Sequence, residues 1–73
     1  MDKATLHQRL QAVEALLQRM EDNIAFQRQT IAKLEGGGHD VKAAKMFLRH
    51  LEAKHARHLA ERDRLFKRLA NSF

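Results

Sequence analysis

The chain has 73 residues with no cysteine, no proline and no tryptophan, and a formal net charge of +5. That size suits one small domain. The composition excludes a disulfide framework and a thiolate metal site. No apolar run approaches the roughly 20 residues of a membrane span, and no signal-like segment is read at the N-terminus, so a cytoplasmic location is the expectation. The charge is uneven: residues 1–35 carry five basic and five acidic groups, whereas residues 36–73 carry nine and four.

The first predicted element is a helix over about residues 3–35. Ala, Leu, Gln, Glu, Lys and Arg dominate it, all strong helix formers. Leu6, Leu10, Val13, Leu17, Met20, Ile24, Gln27, Ile31 and Leu34 recur at alternating spacings of four and three, a coiled-coil seam with one polar interruption. Asp2 is placed to cap its start. Gly36, Gly37 and Gly38 end it and offer a left-handed C-cap, so residues 36–39 are read as a turn.

A second helix is predicted over about residues 40–71, with Asp40 suited to accept the free amides of its first turn. On a straight wheel at about 100° per residue its inner stripe reads Val41, Ala44, Leu48, Leu51, His55, Leu59, Arg62, Phe66, Leu69 and Phe73. Here His58 falls on the flank and His50 points away. A short glycine turn forces the helices antiparallel. Facing residues should have numbers that sum to about 75, which sets Leu34 against Val41, Ile24 against Leu51, Met20 against His55, and Val13 against Arg62 with Glu14 alongside. The expected fold is therefore all-α: one domain over residues 1–73, an antiparallel two-helix, coiled-coil-like hairpin.

Two helices leave the grooves beside their seam wet. Leu16, Phe26 and the methyl of Thr30 on the first helix, with Phe47 and Leu65 on the second, form apolar wings that need a partner. The simplest is a second copy, which would give a homodimeric four-helix bundle. Phe26 and Phe47 are expected at the seam edge or across that dimer, and Leu16, Phe26, Phe47 and Leu65 are the expected self-association residues.

The stretch from Ile24 to Leu65 resembles short, uncharacterised helical-hairpin proteins of proteobacteria, whose pattern runs IAxQRxxIAxLE, GHD, LHxADRDRL. Ile24, Ala25, Gln27, Arg28, Ile31, Ala32, Leu34 and Glu35 match its first block. Gly38, His39 and Asp40 match the turn; Ala44, Leu48, Glu52, His58, Ala60, Arg62, Asp63, Arg64 and Leu65 match the last part. Phe26 and His55 depart from it. The resemblance implies a hairpin of bacterial, cytosolic origin and supplies no chemistry.

The stretch HLEAKHARHLAERDR, residues 50–64, invites a search for a site. Glu52 and His55 have the Glu-x-x-His spacing of di-iron bundles, and His55 with His58 offers two of the four ligands of a zinc site. Met20 and Leu17 occupy the facing seam, where an inward carboxylate is required, and Lys54 and Arg57 crowd the site with positive charge. Glu52, His55 and His58 are therefore only weak metal candidates, and a semi-buried His55 bonded to Glu21 or to an opposing helix is the plainer expectation. No nucleophile stands beside a base, so no enzyme and no cofactor are expected.

Lys42, Lys45, Arg49, Arg57, Arg64, Lys67 and Arg68 share the broad outer face of the second helix. That face suits a partner or nucleic-acid phosphates. Against this, Asp63–Lys67 and Glu61–Arg57 are spaced four apart, as helix-surface ion pairs would be. The polar seam residues Gln27, His55 and Arg62 suit register and partner choice. The first expectation is a small, non-enzymatic interaction, structural or regulatory module that self-associates and takes a possible protein partner. The alternative is nucleic-acid binding through the basic face.

Overall fold

The computed structural model describes residues 2–72. Two helices, α1 (Lys3–Gly36) and α2 (Lys42–Ala70), pack against each other in a hairpin 56 Å long and 15 by 13 Å across. Among the described residues there is no strand.

The start of α1 follows from Asp2. In extended backbone, its Oδ1 accepts the Thr5 amide at 2.7 Å, one of the donors a helix N-terminus leaves unsatisfied. Those hydrogen bonds stabilise the charged form and hold the Asp2 carboxyl below its ordinary value. The helix ends one residue later than expected, at Gly36. The Gly38 amide bonds the Glu35 carbonyl and the His39 amide reaches back to the Leu34 carbonyl, both at 3.0 Å. This paired closure is a Schellman motif, and it needs a left-handed residue between helix and exit. Gly38, at φ 79°, supplies it.

The second helix starts later than the residue 40 expected. Asp40 Oδ1 accepts the Lys42 amide at 3.0 Å. The first helical bond, though, is accepted by the Val41 carbonyl, from the Lys45 amide at 2.9 Å. Val41, with φ −115° and ψ 13°, turns the corner and buries its side chain at the closed end, so Asp40 caps from one position further out.

On α1 the four-three repeat is the core as far as Ile31: Leu6, Leu10, Val13, Leu17, Ile24 and Ile31 are buried and Met20 and Gln27 half-buried, whereas Leu34, expected in the seam against Val41, is exposed beside the turn. On α2 the straight wheel misplaces the inner stripe towards the C-terminus. Leu65, expected on an outer wing, is buried and joins Leu6, Leu10, Val13 and the partly buried Leu69. Phe66, expected in the seam, is 46% exposed. His58, expected on the flank, is half-buried. Phe73 lies outside the described residues. A strict heptad explains all three shifts: Val41, Ala44, Leu48, Leu51, His55, His58, Arg62, Leu65 and Leu69 continue the alternation of three and four, and each is buried or half-buried. A wheel at 3.6 residues per turn drifts about 20° per heptad against a 3.5 repeat, whereas the buried positions of α2 stay on the seven-residue repeat. Over four heptads the straight wheel is displaced by nearly one residue, enough to swap Leu65 for Phe66. The facing sums of about 75 agree with the open-end cluster, where Leu6, Leu10 and Val13 pack with Leu65 and Leu69.

Candidate interaction surfaces

The heptad assigns the side chains that border the seam. On one flank α1 contributes His7, Glu14, Glu21, Arg28 and Glu35, and α2 contributes Lys45, Glu52, Leu59 and Phe66. On the other α1 contributes Arg9, Leu16, Asn23 and Thr30, and α2 contributes Phe47, Lys54, Glu61 and Arg68. In an antiparallel pair, like flanks meet.

The first flank carries a lane of crossed ion pairs in the half nearest the turn. Arg28 donates to Glu52 at 2.6 Å, and Lys45 to Glu35 at 2.9 Å. His55 Nε2 lies 3.3 Å from Glu21 Oε1, as expected from sequence, and its side chain is only 19% exposed. These pairs fix the register of the two helices, although each carboxylate is at least 40% exposed and such pairs contribute about 0–1 kcal/mol. Towards the open end this flank loses its cations: Glu14, Glu21 and, one position outside it, Asp63 remain, beside Leu59 and Phe66.

The second flank has the opposite character at the open end. Two adjoining depressions lie there, one lined by Lys54, Arg57, His58, Ala60, Glu61 and Arg64, the next by Arg9, Glu61, Arg64, Leu65 and Arg68. They share Glu61 and Arg64. Glu61 is the single acid, and its carboxylate lies 3.4 Å from His58 Nδ1.

The outer basic face expected on α2 is thus divided. Lys42, Lys45 and Arg49 belong with the first flank, where Lys45 is engaged by Glu35 and Arg49 lines the same depression as Arg28 and Glu52. Arg57, Arg64 and Arg68 border the second, and Lys67 stands between them on the outermost line. Neither surface ion pair expected from spacing forms: Asp63 Oδ1 faces the Arg62 guanidinium at 3.5 Å instead of Lys67, and Glu61 faces His58 instead of Arg57. Sequence spacing also missed Arg9 and Lys54, which become neighbours of the basic cluster only once α1 and α2 are aligned.

Arg62 is half-buried in the seam. Its Nε is buried without a hydrogen-bond partner, and Glu14, the expected counter-ion, does not engage it; Asp63, its chain neighbour, reaches only the terminal nitrogen. The metal candidates are held apart by different partners: Glu52 by Arg28, His55 by Glu21, His58 by Glu61. Among the described residues no three His, Asp or Glu side chains converge, and no helix is long and apolar enough to cross a membrane.

The apolar wings are open. Phe26 is 64% exposed and Phe47 51% exposed, so neither packs into the intrahairpin seam. Both border the second flank nearer the turn, with Leu16 half-buried between them and the basic cluster. Against family models, curated proteins and solved structures the chain finds no match.

Proposed function

We propose that this hairpin is a non-enzymatic protein-interaction module that completes its core by pairing with a second copy, as a four-helix bundle. The observation that carries the reading is the asymmetry of burial. The first helix buries six seam residues, whereas Leu65 is the sole buried residue of the second, and Phe26, Met46, Phe47 and Phe66 stand open. Each aromatic side chain can bury about 150–250 Å². A lateral face of 56 by 15 Å projects an area close to the roughly 800 Å² that a stable interface takes from each partner. Wings of this kind on a hairpin with a heptad seam match the way bundles grow by helix pairs. Gln27, His55 and Arg62 put polar groups into the seam, where they favour one register and one partner over others.

Sedimentation velocity and light scattering test this directly. With no Tyr or Trp in the chain, concentration is read at the peptide bond. A mass of two chains at micromolar concentration is expected, reduced to one chain by Phe47→Glu combined with Phe66→Glu, which charges the open aromatic side chain of each flank, with helix content retained. A compact monomer at that concentration in the parent protein overturns the reading.

A further inference from the structure

We infer that the basic flank at the open end of the hairpin binds the phosphate backbone of double-stranded nucleic acid. The site is built from both helices: Lys54, Arg57, Arg64 and Arg68 of α2 with Arg9 of α1, around two depressions that share Arg64. It goes beyond self-association and lies wholly within one hairpin.

Three observations carry it. First, charge is segregated across the open half. Four cations of α2 accompany one acid on this flank, while the opposite flank of the same segment has Glu14, Glu21 and Asp63, with the Arg62 guanidinium of the seam alone reaching out to Asp63. A merely solvated helix surface mixes its charges through pairs four residues apart; here those pairs are not made, and Glu61 turns to His58. Second, three of the four cations on α2 are arginines, whose planar fork matches phosphate oxygens better than an ammonium does. Third, the spacing fits a backbone. Lys54 to Arg68 spans about 21 Å at 1.5 Å per residue, enough to reach phosphates on both sides of a groove about 12 Å wide.

The same observations argue against other polyanions. Single-stranded nucleic acid needs aromatic platforms for its bases, and the exposed phenylalanines of this flank, Phe26 and Phe47, lie outside the cluster, toward the turn. An acidic amphipathic helix needs an apolar floor, whereas the apolar residues lining these depressions are Ala60 and the buried Leu65.

The test uses the full chain and labelled mixed-sequence duplexes of about two helical turns, one RNA and one DNA, in an anisotropy titration across salt. Four phosphate contacts predict a log–log salt slope near −3.6, a loss of about 150-fold between 50 and 200 mM. Arg57→Glu with Arg64→Glu should make the slope shallower by about 2. Lys42→Glu with Arg49→Glu, the same charge change on the other flank, should leave the slope nearly unchanged. Circular dichroism and sedimentation check that both variants remain folded, and Arg57→Gln with Arg64→Gln replaces the first pair if it does not. Preference for one duplex in parallel titrations identifies the source of the backbone. Equal losses for the two double variants reduce the effect to net charge and overturn the site. Displacement of duplex by poly-glutamate at equal charge concentration also overturns it, in favour of an acidic polypeptide. Absence of binding at 50 mM overturns it outright. A chain that sediments as a monomer yet shows the expected slopes would remove self-association and leave this site standing.

Discussion

Leu65 and Phe66 are adjacent, apolar and on the same helix, yet the fold assigns them opposite weights. Leu65 is 5% exposed and packs with Leu6, Leu10, Val13 and Leu69; Phe66 is 46% exposed. Truncating a buried leucine to alanine costs about 2–5 kcal/mol. The cluster lies at the open end of a hairpin only two helices thick, where neighbours can settle into the gap, so the lower half of that range applies, about 2–3 kcal/mol. Phe66→Ala removes a larger side chain, but about half of it is already in water, and its cost within one hairpin should stay near 1 kcal/mol. Urea unfolding followed by far-ultraviolet circular dichroism measures both, at several protein concentrations. Any part of the Phe66 cost that arises between copies then appears as a concentration-dependent midpoint. A Phe66 variant that loses more stability than the Leu65 variant at the lowest concentration would refute the heptad seam and restore the straight-wheel one.

Other consequences follow from particular residues. Arg62→Met removes a seam cation whose Nε has no partner and should stabilise the hairpin by about 1 kcal/mol, with a loss of stability counting against the seam geometry. Gly38→Ala places a side chain at φ 79°, where nothing lies within 4 Å of the new Cβ; the cost is conformational alone, about 1 kcal/mol, whereas Gly36→Ala should be neutral or stabilising. Both are read from urea midpoints. The Asp2 carboxyl, held below its ordinary value of 3.8 by the Thr5 amide, contributes stability that is present above that value and lost as pH falls through the lower folded one. Asp2→Asn keeps the cap and should flatten that part of an acid titration. Arg28→Ala should cost no more than about 1 kcal/mol, since its pair with Glu52 is solvent-exposed, and 1 M salt should erase the difference.

Much of the fold was legible because helical heptads are written locally. The first helix, the glycine closure, the antiparallel register and the His55–Glu21 pair all follow from spacing, since each depends on neighbours along one helix or on a single sum across the turn. The placement of Leu65, Phe66 and His58 was not legible from a wheel at about 100° per residue, because the buried positions of α2 keep a seven-residue period from which that wheel drifts. The start of α2 escaped for a different reason: Asp40 has the right chemistry for a cap, but Val41 is the residue that must turn inward to close the hairpin end. The basic surface was legible as a composition and misread as a face. One helix shows seven cations on its outside; two aligned helices divide them between flanks and bring in Arg9 and Lys54.

That division bears on how the chain can pair. If two copies join through the second flank with their turns at the same end, their basic clusters meet and repel, and Phe26 and Phe47 must outweigh that repulsion. If they join through the first flank with turns at opposite ends, Glu14, Glu21 and Asp63 of one copy face the half that holds Arg28, Lys45 and Arg49 in the other, twice by symmetry. The first arrangement is weakened by low salt and the second is strengthened by it, because screening acts on repulsion in one case and on attraction in the other. Dimer dissociation measured at 20 and 300 mM salt therefore chooses the flank by the sign of the change. Of these two arrangements the second leaves Lys54, Arg57, Arg64 and Arg68 open in the assembled state, so a dimer that tightens at low salt and still binds duplex is the outcome under which the two proposed activities coexist. A dimer that loosens at low salt, and whose formation excludes duplex, would place them in competition for one flank.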